Sequence, residues 1–251
     1  DRFTFSPLSS GRDLLPTTAP RSDAHGIYAL VNPSIRSQSG PPLLASMRST
    51  PRSACWPDLS KMANILEWSK REGDVLRTLF HGAQVFEQDQ ASEEQLLRIM
   101  RPLLLHLSTH GIDCSLNAET GQGVRSARGA PQAAATESPD SSILLMAGAE
   151  FYLTQWSEKG IASGVADGLV TFAEIARMDL RGTQLVVLAA CLSGMGAVRR
   201  GQGLLGFRSA LFVAGAETVV TTLGKVNDEV TAQLMTAYYR HLKAGEGRIS
   251  A

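Results

Sequence analysis

The stretch LVVLAACLSGMG, Leu185 to Gly196, decides the fold. Its first six residues, Leu185 to Ala190, are apolar without alternation, the pattern of a short strand buried on both faces of a parallel sheet. Cys191 stands where that strand should end. Ser193, Gly194 and Gly196 follow at once, so the chain is expected to turn there and to present the thiol at the rim of the sheet. Ligands of open α/β sheets bind at that rim. Upstream, LLLHLSTHG, Leu103 to Gly111, repeats the plan with an apolar strand, a polar break and His110 just before a glycine. Two neighbouring parallel strands ending in His and Cys make a candidate dyad.

Working outward, further strands are expected at Ile27 to Pro33, at Gln84 to Glu87, over Ser142 to Gly148 and over Glu217 to Leu223. The segment Ser60 to Phe80 carries apolar residues at mostly helical spacing interrupted by Gly73, which fits one broken helix or two short ones. Ser92 with Gln95, and Thr171 with Glu174, have the spacing of helix-starting capping boxes. Leu204 to Ala214 is read as a helix, and Asn227 as the cap of a last helix bearing Val230, Leu234, Tyr238 and Leu242 at helical spacing. Strands alternating with helices predict an α/β fold with a mostly parallel sheet and helices on both faces. Residues 1–26 read as an irregular lead-in, and residues 27–251 as one domain interrupted by a flexible insert at residues 112–141.

A chain of 251 residues with formal net charge zero gives no electrostatic case for a nucleic-acid or anionic-membrane partner. Cys55, Cys114 and Cys191 are odd in number, widely spaced and without a CxxC, which argues against a disulfide framework or structural zinc. A reducing cytoplasm is the expected location. No apolar run approaches the ~20 residues of a membrane span, and the N-terminus lacks the pattern of a secretory signal. The chain begins at Asp1 without Met and is read as a piece of a longer polypeptide.

A thiol attacks as thiolate, so a catalytic Cys191 needs a neighbouring base, which His110 would supply. Backbone N–H groups at Gly111 and Cys191 could receive a developing oxyanion. The plainer alternative makes Cys191 a small buried hydrophobe and His110 a loop residue. Matching strand-end contexts favour the dyad. His106, inside the apolar strand, is expected to be a hydrogen-bonded core histidine, since no second ligand-type residue stands at metal-site spacing. GQGLLG, Gly201 to Gly206, matches a dinucleotide fingerprint but lies about ten residues beyond its strand, so it is read as a loop entering a helix.

At HLSTHG (His106 to Gly111), the long run Asp167 to Val220, and VNDEVTAQLMTAYYRHLKAG (Val226 to Gly245), the chain resembles the CHAT domain family of caspase-like cysteine peptidases. The resemblance reaches back more loosely to Ile27. It implies a caspase-like sheet, His110 as general base, Cys191 as nucleophile, and a thiol protease that needs no metal or organic cofactor. The implied partners are a protein or peptide substrate and a regulatory protein or repeat domain. His110 and Cys191 are 81 residues apart, and leaving out the thirty-residue insert brings this to 51, against about 50 in caspases. Leu192 and Gly224 depart from the family pattern, where a polar residue and Trp are common. They motivate an alternative, a catalytically inactive CHAT-like interaction module. Kinship to caspase relatives that cleave after basic residues implies an acid near the dyad, and Asp113 and Asp167 are the candidates.

Overall fold

The computed structural model describes residues 23–35, 66–113, 142–150, 166–190, 197–199, 203–222 and 227–248. Five strands form a parallel sheet: β1 (Ile27–Pro33), β2 (Gln84–Gln88), β3 (Leu104–Ser108), β7 (Leu185–Ala189) and β10 (Val219–Thr221), in the order β10-β7-β3-β1-β2. Every residue of β3 and β7 is buried, as expected of apolar runs without alternation in strands covered on both sides. Three further strands, β4 (His110–Asp113), β5 (Ser142–Leu145) and β6 (Leu169–Thr171), make a separate antiparallel sheet. β8 (Ala197–Arg199) and β9 (Gly203–Leu205) pair as an antiparallel hairpin.

Helices cover both faces, as predicted. On one side, α1 (Glu67–Leu79) and α5 (Asp228–Lys243) pack over Ala29, Val31, Leu104, Leu185 and Val187. On the other, α2 (Glu93–Leu97), α3 (Phe172–Arg177) and α4 (Phe207–Ala214) pack over Leu30, Leu105, Leu107, Val186 and Leu188. Alternate residues of one strand thus build two cores, as the two-residue period of a strand requires.

Thr171 with Glu174 forms the predicted capping box, while Ser92 acts as an N-cap that accepts from the Gln95 N–H. Asn227 caps α5 by accepting from the Val230 N–H. Four local expectations are corrected. Gly73 does not break α1; it is buried where a Cβ would lie 2.7 Å from Val85 Cγ1, so its missing side chain lets the helix close on the sheet. Leu204 and Leu205 belong to β9, and α4 begins only at Phe207, after Gly206. The last helix turns Thr231, Ala232, Met235, Tyr238 and Tyr239 inward, leaving Val230 and Leu234 61% and 62% exposed, because Tyr239 is drawn to a buried histidine. The region after His110 begins as a strand: Ile112 and Asp113, expected at the head of the insert, extend β4, and the rest of the insert lies outside the described residues.

β1 has β3 on one side and β2 on the other, so the chain direction across the sheet reverses between β1 and β3. The crevice at the carboxyl ends of strands flanking such a reversal is where open α/β sheets bind ligands. Here that edge leads directly to His110.

Candidate active site

β3 and β7 run parallel in unbroken register from Leu104 opposite Leu185 to Ser108 opposite Ala189. In the sequence, His110 comes two residues after Ser108 and Cys191 two residues after Ala189. The Thr109 N–H donates to the Ala189 carbonyl at 3.3 Å, so the two strand ends remain joined past the ladder. On the far side of β7, the Thr222 hydroxyl donates to the Ala190 carbonyl. Ala190 is buried, and it is the last described residue before Cys191. Cys191, Cys55 and Cys114 all lie outside the described residues, as does the departure at Leu192.

His110 is partly exposed and opens β4 opposite Leu145. The Thr109 hydroxyl donates to the Leu145 carbonyl, stitching β3 to the small sheet immediately before His110. Gly111, a candidate oxyanion donor, stands opposite Leu144, and Asp113 opposite Ser142. Asp167 is buried, and its Oδ1 accepts the Leu169 N–H at 2.8 Å. It also hydrogen bonds to the Glu93 carboxyl, whose Oε2 accepts the Gly168 N–H at 2.8 Å. Burial, opposed by that Gly168 bond, pushes the Glu93 carboxyl up to about 7, and burial likewise raises Asp167. The pair fastens the start of β6 to α2.

The histidine expected in the core is there. His106 is fully buried, with Nε2 2.6 Å from Glu72 Oε2 and Nδ1 2.7 Å from the Tyr239 hydroxyl. The carboxylate lies off the ring N–H axis, so the close Glu72 contact is one of charge and proximity and not a linear hydrogen bond. Burial first, then the Glu72 charge, holds the Tyr239 phenol well above its usual range, so it keeps its proton. Donation of that proton to Nδ1 leaves Nε2 as the N–H facing Glu72.

Glu72 and Ser69 are buried polar residues that sequence reasoning did not single out. The signal was present: with Gly73 and Leu76 they occupy one helical stripe, spaced i, i+3, i+4 and i+7, so two polar groups sit on the face α1 turns to the sheet. The Asp228 carboxylate accepts the Trp68 N–H at 2.9 Å, tying the first turn of α1 to the first turn of α5.

A parallel sheet with helices on both faces and a histidine at its carboxyl edge defines an α/β protein of the caspase-like kind. The CHAT domain family model matches residues 1–251, the whole chain, and the protein belongs to that family. No curated protein matches it. The family is related to caspase-like cysteine peptidases. Among the described residues, no helix is long and apolar enough to cross a membrane.

Proposed function

We propose that the protein is a cysteine endopeptidase in which His110 and Cys191 form the reacting dyad. The observation that carries this reading is the parallel register of Ser108 with Ala189, each of which stands two residues before a member of the proposed dyad in the sequence. His110 takes the thiol proton, and the thiolate attacks the peptide carbonyl. Backbone N–H groups of Gly111 and Cys191 receive the oxyanion, His110 returns the proton to the leaving amine, and water hydrolyses the acyl-enzyme. Residues 27–251 act as one catalytic domain. Its partners are a peptide or protein substrate and a regulatory protein.

Recognition of Arg or Lys before the scissile bond is part of this proposal. Asp167 is held by Leu169 and Glu93; Asp113, the last residue of the strand that His110 opens, is the other candidate acid. Equal cleavage after Arg, Asp and Leu would remove this element. The second reading, an inactive interaction module, is favoured by Leu192 beside the nucleophile. A thiol-reactive peptide probe separates the two: labelling at Cys191 that needs His110 supports the peptidase, and its absence supports the module.

A further inference from the structure

The Gly26 carbonyl accepts from the Leu103 N–H at 2.8 Å and the Leu104 N–H at 3.4 Å, and with Ile27 paired to Leu104 in a parallel ladder the even-numbered residues of β1 turn their backbone groups toward β3. By the register of Val31 with Ser108, the next rung of that ladder would join the Asn32 N–H to the Ser108 carbonyl. A helix side chain bridges this rung. The fully buried Ser69 hydroxyl of α1 accepts from the Asn32 N–H at 2.9 Å and donates to the Ser108 carbonyl at 3.2 Å. One hydroxyl can do both because it has a donor and two acceptor lone pairs. Asn32 has left the strand conformation, with φ of 46°, so β1 turns away from β3 at this point. Ser69 therefore stands where the sheet opens, between the two strands at which its chain direction reverses.

We propose that Ser69 is a positioning residue for His110. The dipeptide Ser108–Thr109 precedes His110 and is held on three sides. Ala189 holds the Thr109 N–H, Leu145 holds the Thr109 hydroxyl, and Ser69 holds the Ser108 carbonyl. Two of these holds end on strand backbone; the third comes from a helix side chain. Because Ser69 also carries Asn32, it sets the spacing of β1 and β3 at their carboxyl ends and with it the approach of His110 to the crevice. One turn on, the Glu72 contact with His106 keeps α1 from sliding along β3, which fixes the height of Ser69 against Ser108. A serine at this position is thus part of how the edge is aimed, beyond its share in stability.

This inference rests on the dyad reading for its meaning in catalysis, but its test does not need catalysis. The imidazole resonances of His110 are followed by NMR through a pH titration in wild type and Ser69→Ala, with exposed His25 and His241 as internal controls. Alkylation of Cys191 by iodoacetamide is measured in parallel. Ser69→Ala is expected to shift the His110 resonance and its titration midpoint, leave both controls in place, and slow alkylation several-fold. Should Ser69→Ala not fold, Ser69→Cys keeps the side-chain size with weaker hydrogen bonding, and the same displacement of His110 is expected by NMR alone. An unchanged His110 titration in a folded Ser69 variant overturns the proposal, whatever happens to its melting temperature. Alkylation equally fast in wild type and His110→Ala counts against the dyad instead, and the His110 titration still decides the role of Ser69.

Discussion

Ser108 of β3 stands directly opposite Ala189 of β7 in parallel register, and the next N–H, that of Thr109, donates to the Ala189 carbonyl at 3.3 Å. Strand ends joined in this way do not slide past one another without breaking that bond, and a slip of one residue would turn each buried strand's side chains to the opposite core. The consequence is that the sheet fixes where the end of β3, two residues before His110, stands against the end of β7.

If His110 acts on Cys191, iodoacetamide at neutral pH modifies Cys191 before Cys55 or Cys114, because the thiolate is the reactive form. Replacing His110 by Ala slows that labelling. Peptide mapping by mass spectrometry reads the three sites separately, and equal rates at all three would contradict the assignment.

The Glu93 carboxyl has a folded-state pKa of about 7 against an ordinary value of 4.5, raised by burial. A raised acid binds its proton more tightly when folded, so its stabilising contribution is full below about pH 4.5 and is lost as pH rises through about 7. Asp167 is shifted in the same direction. Urea unfolding of the wild type should therefore lose on the order of 1–3 kcal/mol from this pair on going from mildly acidic to mildly alkaline buffer. Glu93→Gln keeps an oxygen for the Gly168 N–H and gains an N–H for Asp167, and its stability should depend less on pH. A variant with the wild-type slope would refute this.

Removing one member of the buried Glu72–His106 contact leaves the other uncompensated in the core. Glu72→Ala leaves the His106 Nε2–H without the carboxylate it faces and should cost about 1–3 kcal/mol. Tyr239→Phe, which removes only the partner of Nδ1, should cost about 1–2 kcal/mol. Replacing Glu72 and His106 together by Leu should cost less than the sum of the single changes, read from a double-mutant cycle in urea. Additive costs would mean that the two side chains do not interact.

Gly73→Ala improves helix propensity by about 1 kcal/mol, yet the protein should become less stable. The new methyl group would lie 2.7 Å from Val85 Cγ1 and 3.0 Å from Val31 Cγ2, and neither valine has a flexible end to move aside. A net loss of about 1–3 kcal/mol is expected from overpacking. A rise in melting temperature would show that the helix has room to lift from the sheet.

The buried strands were legible because their signal is local: an unbroken apolar run such as Leu185 to Ala190 has few other uses in a chain of this composition. His106 was legible for the same reason, since a lone polar residue inside such a run must find partners in the core. Its partners were not. Glu72 is 34 residues upstream and Tyr239 is 133 downstream, and only the packing of α1 and α5 on one face of the sheet brings them together. The small antiparallel sheet was missed in part because its strands are three or four residues long, too short to display a period. Half of the apolar set read on α5 reaches the core: Tyr238 and Leu242 do, but Val230 and Leu234 do not, because Tyr239 makes the specific contact with His106 that sets the rotation. Next to the candidate site, the strand that leads to His110 was legible in the sequence, whereas β4, which His110 opens, was not, and the role given to Ser69 needed the β1–β3 register to be known.

The central claim is that Cys191, aided by His110, cuts peptide bonds, and peptide-library hydrolysis by wild type, Cys191→Ala, His110→Ala and Cys114→Ala proteins tests it most directly. Cys191→Ala deletes one sulfur atom beyond the end of β7, so the fold should survive, which circular dichroism checks. The account predicts that cleavage is abolished in Cys191→Ala, nearly so in His110→Ala, and unchanged in Cys114→Ala. Retained cleavage in a correctly folded Cys191→Ala protein, with loss in Cys114→Ala, would contradict it.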